Sequence, residues 1–376
     1  MVPAALTDTD RSALRRALEL AEQGRGRVSP NPMVGAVLAR DGATIGEGFH
    51  ARVGDLHAER AALADCASRG NDPAGATMYV TLEPCGHEGR QPPCAPAIAE
   101  AGIGRVVYAT EDPSAKTAGV GPRLLRERGV EVVVAEGTEA EEARRLNPAF
   151  RKHSITGKPL VTYKCAASID GRTVTAAGQS KWISGEESRL LVHRWRAQSD
   201  AVAVGIGTAI ADDPQLTARG VGAERQPARV VFDSGARLPL DSALVASADE
   251  TPVYLIASEA SDASAVEALR ERGVEVLLLG GDGSARIPAG LLALGERDVT
   301  SVLLEGGAGL AGAFLDAGEI DEMRLFLAPV LIGGEGAGNI FDGVGAKSVE
   351  QATRPLSVRS ESVGADLLVS AAIKDW

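Results

Sequence analysis

Three side chains of metal-binding type stand in an ordered pattern: His57, Cys85 directly after Pro84, and Cys94. One imidazole and two thiolates occupy three corners of a tetrahedron around zinc and leave the fourth to water. Zinc so held lowers the pKa of that water to about 7. Hydrolytic removal of an amine from a heteroaromatic base needs one group more, a carboxylate that is not a ligand and carries protons from water to ring nitrogen and leaving amine. Glu59 is the expected group. Residues two apart on a helix do not share a face, so His57 suits the metal and Glu59 the water. Eight residues separate Cys85 from Cys94, where two is the common spacing; Gly86, Gly89, Pro92 and Pro93 let that loop fold back. The alternative is a closed, purely structural zinc site with His87 as fourth ligand, which leaves Glu59 without a task. Cys66, on the apolar side of the helix after Glu59, is expected to be a buried structural thiol.

The elements that must position these groups alternate. Asp10 is expected to cap a helix whose apolar face is Leu14, Ala17, Leu18 and Ala21, spaced by three and four. Met33 to Arg40 reads as a buried strand with a turn at Asp41-Gly42. A helix runs from near His57 to Gly70, followed by strand TMYVTL, the cysteine loop, and a helix opening near Pro93, where proline suits a first turn. Strand RVVYAT, helix GPRLLRERG and strand VEVVVA complete an α/β layer pattern. The charged, punctuated stretch from Glu136 to Pro159 is the expected boundary, giving a first domain over 1–150 and a second over 158–376. The second carries the strands LVTYKCAAS, DAVAVGIG, ARVVFDS, PVYLIA, VEVLLLG, VTSVLLEGG, MRLFLAPVLIGG and ADLLVSAAI. Helices lie between several of them, and antiparallel pairing is expected at the end. Acidic residues outnumber basic ones, 51 to 39, which argues against a nucleic-acid or membrane-surface binder, because polyanions demand a basic footprint. No apolar run has the length of a membrane span and the start reads as a capped helix rather than a signal peptide. Four cysteines in such a chain are no disulfide scaffold. A cytoplasmic location is expected.

HAE followed by YVTLEPCGHEGRQPPC resembles the family of bifunctional riboflavin-biosynthesis deaminase–reductases. NPMVGAVL, GFHARVGDLHAE and EDPSAKTAGVGPRLLRERGVEV carry the resemblance through the first half. KCAASIDGRTVTAAGQSKWIS, RAQSDAVAVGIGTAIADDPQLTAR and LLEGGAGLAGAFL carry it through the second, in order from about Asn31 to Gly334. It implies a cytidine-deaminase-like three-layer domain and a dihydrofolate-reductase-like α/β domain. It further implies zinc on His57, Cys85 and Cys94, with Glu59 as proton shuttle and Asn31, His50 and Arg90 on a pyrimidine nucleotide. Ala166, Trp182, Thr208, Asp212, Ser234 and the run Gly307, Ala308, Gly309, Leu310, Ala311, Gly312 and Ala313 match NADPH-contacting positions. Lys164, Ser180, Arg196, Leu216, Arg219 and Glu305 match positions that hold the reductase substrate. Gln91 stands where the family usually has threonine, Ser114-Ala115 where it has Asn-Pro, and Ala166 where some members have glycine.

Read from its own residues, the second half is less specific. Gly307 to Gly312 satisfies G-x-G-x-x-G between an apolar strand and a helix, where backbone N–H groups approach a pyrophosphate. A tight packing turn explains it nearly as well. The acid expected about 20 residues on in a Rossmann domain is missing from LFLAPVL, so the motif does not support a Rossmann NAD domain and is compatible with a different dinucleotide fold that prefers NADPH. Lys164 is the candidate proton source for opening a ribosylamine ring, with a solvated strand-end lysine as the alternative. Arg196 and Arg219 could clamp a phosphate or lie on the surface; Trp182 could wall the nicotinamide or pack. Glu305, at a strand terminus beside the glycine turn, is placed where ligands sit. His153 and His193 read as structural. The partner implied is a small pyrimidine nucleotide, with a homo-oligomer expected. Two rivals are a deaminase acting on another base and a zinc-stabilised nucleotide-binding regulator without turnover.

Overall fold

The computed structural model describes residues 6–88, 91–115 and 117–376. The chain divides into two units, one over Met1–Thr156 with Trp376 and one over Gly157–Asp375.

In the first unit, α1 (Asp8–Glu22) leads into the hairpin β1 (Gly35–Arg40) and β2 (Ala43–Phe49), then α2 (Ala58–Ser68), β3 (Thr77–Val80), α3 (Cys94–Glu100), β4 (Arg105–Tyr108), α4 (Val120–Glu127) and β5 (Glu131–Val134). Helices α5 (Thr138–Leu146) and α6 (Pro148–Thr156) close it. The sheet order is β2-β1-β3-β4-β5, with β1 antiparallel to both neighbours and β3, β4 and β5 parallel. Strand periodicity of two splits adjacent apolar residues between two cores. Leu38, Met78 and Val106 pack with Ala62, Ile98 and Leu125 of α2, α3 and α4. Val37, Tyr79 and Val107 pack with Leu14, Ala17 and Ala143 of α1 and α5. Three layers follow from that alternation.

Thr7, not Asp10, is the N-cap of α1. Asp10 is the reciprocal partner in a capping box, and its buried carboxylate also takes Arg105 Nη1 at 2.6 Å and the Tyr79 hydroxyl at 2.9 Å. Leu20 joins Leu14, Ala17 and Ala21 on the buried face, and Leu18 packs partly buried against the same core. Pro93 is the N-cap of α3, not its first residue.

The second unit runs β6 (Leu160–Ser168), α7 (Glu186–Gln198), β7 (Ala201–Gly205), α8 (Ile206–Asp212), β8 (Ala228–Phe232), α9 (Ala243–Ala246), β9 (Val253–Ser258) and α10 (Ala263–Glu271). It continues through β10 (Glu275–Leu279), α11 (Gly283–Gly295), β11 (Ser301–Leu304), α12 (Ala308–Asp316), β12 (Glu322–Ala328), β13 (Ser357–Val363) and β14 (Asp366–Ala372). Nine strands lie in the order β10-β9-β8-β7-β11-β6-β12-β14-β13. The first seven are parallel, and β14 pairs antiparallel with β12 and β13. Val202, Val231 and Leu303 face Val192, Trp195, Leu244 and Leu269. Ala203, Val230 and Leu304 face Ile287, Leu291 and Phe314 on the other side. The outer strand β13, SVRSESV, is exposed along most of its length, which is why hydrophobic patterning does not reveal it.

Candidate active sites

In the first unit, two helix starts and one loop converge. His57 is the N-cap of α2 and Cys94 is the first residue of α3. Cys85 ends the loop leaving β3 and is folded onto α3, since the Cys94 N–H lies 3.1 Å from Cys85 O and 3.2 Å from its sulfur. Cys85 and Cys94 thus meet despite the eight residues between them. His57 Nδ1 is 3.6 Å from Cys85 Sγ and 3.5 Å from Cys94 Sγ. Tetrahedral zinc, with Zn–S about 2.3 Å and Zn–N about 2.0 Å, places sulfur and nitrogen about 3.5 Å apart. The donor set therefore fits zinc without rearrangement. Among the described residues the cluster comprises these three donors; His87 is not one of them, which disfavours the closed structural site. Contact with Cys94, outweighing burial, draws the Cys85 thiol down to about 4, while the Cys94 thiol is pushed up as the pair shares one proton.

Glu59, in the first turn of α2, is 4% exposed, and burial pushes its carboxyl up to about 7. It shares a pocket of about 310 Å³ with His57, Cys85, Asn31 and His50. His50 is buried, and its Nδ1 lies 3.0 Å from Leu56 O. A carbonyl only accepts, so Nδ1 carries the proton and Nε2 accepts from Asn31 Nδ2 at 3.1 Å. Burial lowers the His50 pKa, keeping that ring neutral. The opposite wall is the loop from Asp112: the Ser114 N–H donates to Asp112 Oδ1 and the Thr117 hydroxyl to Oδ2. Glu83 ties this loop down by accepting from Asp112 N and Gly119 N.

In the second unit, a cleft of about 500 Å³ lies at the C-terminal ends of β7, β8, β9 and β11, the usual ligand position in an open α/β sheet. Thr208, Ser234, Gly307, Ala308, Gly309, Leu310 and Ala313 all line it. A Cβ on Gly309 would meet no atom, so backbone there is open to close approach. Gly312 differs: a Cβ there would lie 1.8 Å from Asp342 O, so this glycine packs against the chain. Ala311 is likewise fully buried. Ala166 packs on the core from β6. Asp212 holds Lys181 Nζ at 3.0 Å, one residue before the exposed Trp182.

Lys164, Arg196 and Glu305 form a second cluster. The Glu305 side chain is 9% exposed; Arg196 Nε and Nη2 donate to it at 2.6 and 3.0 Å, and Lys164 Nζ lies 3.9 Å away. Burial works to raise the Glu305 pKa, but Arg196 and then Lys164 outweigh it, so the carboxylate is held below its usual range. Arg196 Nη1 donates to Thr217 O. Arg196 therefore spends three donors on the protein and holds Glu305 in place. Arg219, exposed, donates to Gln215 and Thr217, next to the buried Leu216. Ser180 is exposed.

A family model for the cytidine and deoxycytidylate deaminase zinc-binding region matches residues 7–110, and one for the RibD C-terminal domain matches residues 159–369. The riboflavin biosynthesis protein RibD of Actinobacillus pleuropneumoniae is 41% identical over 364 residues, 96% of this chain and 95% of that one. The chain belongs to the RibD family. It is a bifunctional enzyme of riboflavin biosynthesis with a deaminase domain and a reductase domain. The solved RibD of Acinetobacter baumannii is 37% identical, with a TM-score of 0.86, covering 97% of this chain and 99% of that one. A Thermotoga maritima structure described as a diaminohydroxyphosphoribosylaminopyrimidine deaminase/5-amino-6-(5-phosphoribosylamino)uracil reductase is 35% identical, with a TM-score of 0.83 and coverage of 97% and 99%. The folds are accordingly cytidine-deaminase-like and dihydrofolate-reductase-like.

Set against these RibD domains, the expected zinc ligands and Glu59 are assembled in one place, with Asn31 and His50 beside them. Arg90 lies outside the described residues. Sequence reasoning did not single out Glu83, although it stands two places before Cys85 in TLEPC. It marked the loop after Asp112 only as a departure from the family pattern, and it passed over Arg286, which lines the second cleft. Arg286 carries no sequence signal, because Pro288 interrupts the helical pattern of α11. No helix among the described residues is long and apolar enough to cross a membrane.

Proposed function

We propose that the chain deaminates a diaminopyrimidinone ribosylamino phosphate and then reduces the ribosyl group of the product to ribityl with NADPH. The observation that carries the first step is the three-donor cluster opening into the pocket that Glu59, Asn31 and His50 share. Bound zinc supplies a Lewis acid that makes water nucleophilic near neutral pH. Glu59 Oε takes one proton from the water and gives it to the ring nitrogen, then carries the second, from the hydroxyl now on carbon, to the departing amine, so that water and C–NH2 become C=O and ammonia. Neutral His50, oriented by Leu56 O, and Asn31 hold the pyrimidine edge, with Arg90 on the nucleotide.

In the reductase, opening of the ribosylamine breaks C1′–O4′; O4′ gains a proton, nitrogen loses one, and a C1′=N bond forms. Lys164 Nζ donates the proton to O4′. NADPH, when bound, supplies the hydride that C1′ accepts, and nitrogen takes a proton. Ser180, Leu216, Arg219 and Glu305 hold this substrate, with Arg196 fixing the Glu305 carboxylate. Thr208, Ser234 and the backbone from Gly307 to Leu310 hold the cofactor, with Ala166, Trp182, Asp212, Ala311, Gly312 and Ala313 shaping its surroundings. The pyrophosphate lies at the start of α12. We infer in addition a cytoplasmic homo-oligomer, tested by sedimentation.

The test supplies the diaminopyrimidinone substrate and NADPH to zinc-replete protein and follows ammonia and NADPH absorbance together. Both signals are expected, with NADPH loss dependent on prior deamination. Glu59→Gln should retain zinc and slow ammonia release by roughly 10²- to 10⁴-fold, the usual reach of general acid–base catalysis. Unchanged turnover in that variant sinks the shuttle role; ammonia without NADPH loss sinks the second step.

A further inference from the structure

The cleft of the second unit contains a basic group that the reading so far leaves without a role. Arg286, in the first turn of α11, lines the cleft, and its Nη2 donates to Ser234 Oγ at 3.0 Å. Ser234 stands two residues past the end of β8. The pair thus bridges two elements at the cleft rim.

One acid stands next to it. Asp233 directly follows β8, the kind of position from which a carboxylate would bind ribose hydroxyls and repel a phosphate on them. Its side chain is 0% exposed. One oxygen, Oδ2, accepts from the Leu238 N–H at 3.0 Å and also from Arg237 N; the other accepts from Gly235 N at 3.3 Å and Arg237 Nε at 3.1 Å. Asp233 is therefore consumed in building the turn that follows the strand. Among the described residues it is the one acid lining the cleft, so the rim they form presents a guanidinium and a hydroxyl with no carboxylate available to oppose an anion.

We propose that Arg286, with Ser234, is the residue pair that selects NADPH over NADH by binding the phosphate on the adenosine ribose. The assignment rests on the reductase reading above. A phosphate monoester carries close to two negative charges at neutral pH and three strong acceptor oxygens. A guanidinium offers it directed, charge-assisted donors, and Ser234 Oγ–H adds another. NADH lacks that group, so Arg286 contributes discrimination rather than general affinity. One such charged hydrogen-bond set corresponds to roughly 10- to 100-fold in binding. The preference is electrostatic and falls as salt rises.

The test measures equilibrium binding of NADPH and of NADH to full-length protein by cofactor fluorescence, at low and high salt. Arg286→Gln should weaken NADPH by roughly 10- to 100-fold, leave NADH unchanged, and abolish the salt dependence of the ratio. Arg286→Lys, which keeps the charge without the fork, should retain part of the preference. An unchanged thermal midpoint establishes that each variant is folded. Equal weakening of both cofactors, or an undiminished ratio, overturns the assignment. If wild type binds both cofactors equally, the reductase reading stands and the selector falls. If wild type binds neither, the cofactor reading itself fails and this inference fails with it.

Discussion

Replacing Arg196 with methionine separates two roles for that side chain. If Arg196 exists to hold Glu305, its loss strands a carboxylate that is 9% exposed, with Lys164 Nζ at 3.9 Å as the remaining cation. Breaking one partner of a buried ion pair costs about 3–5 kcal/mol. With a urea m-value of about 2 kcal/mol/M, the midpoint of the second unit falls by roughly 2 M. The assay is urea unfolding of the whole protein followed by tryptophan fluorescence. Trp195 reports on this region, because it is buried and stacks on Phe326 with ring centroids 5.4 Å apart. Arg196→Met with Glu305→Leu should recover most of the loss, since removing both charges leaves nothing unpaired. The pH dependence carries the opposite sign in the two proteins. In wild type the folded Glu305 pKa lies below its unfolded value, so its contribution is present above about 4.3 and is lost as pH falls through the folded value. In Arg196→Met burial dominates and raises the folded pKa, so stability rises as pH falls. A midpoint within about 0.3 M of wild type, together with a raised KM for the reductase substrate alone, would refute this reasoning and make Arg196 a phosphate clamp.

Gly121→Ala would place a Cβ 1.7 Å from Pro84 O; pushing the adjacent Cys85 loop away should destabilise the first unit by about 1–3 kcal/mol and lower zinc retention on dialysis, read by metal analysis. Two alanine substitutions should divide the glycine motif by role. Gly312→Ala, aimed at Asp342 O, should lower the thermal midpoint, whereas Gly309→Ala, aimed into open space, should leave the midpoint and weaken NADPH binding measured by fluorescence. Burial works against the Asp10 carboxylate, but Arg105, Thr7 and Tyr79 outweigh it and hold the pKa well below the ordinary range. The first unit should therefore lose stability as pH falls below about 3.9 toward the folded value, and Asp10→Asn should remove that part of the acid dependence in a pH series of thermal midpoints.

The zinc site was legible because its chemistry is local in type, though not in spacing. His57 and Glu59 sit in one helical turn, and a proline precedes Cys85. Residue identity therefore declared ligands and shuttle, and the periodicity of Met33–Arg40 and TMYVTL declared the strands behind them. Strand β13 escaped notice because an exposed edge carries no apolar alternation. Thr7 displaced Asp10 as the cap because a carboxylate satisfied by Arg105 and Tyr79 is worth more buried three residues in.

Sequence by itself determined the donor set, the alternation of helix and strand, and the membership of both halves in one family of motifs. The partners of each charge were decided only by the tertiary structure. Arg196 read as either a phosphate clamp or a surface residue, yet it lies 109 residues from Glu305 and closes on it. Asp233 stood at a strand end, yet the turn consumes its carboxylate, while Arg286 reaches Ser234 from 52 residues away. The physical reason is common to these cases. A charge's chemistry depends on what neighbours it in space and on how much water remains around it, and neither quantity is written along the chain.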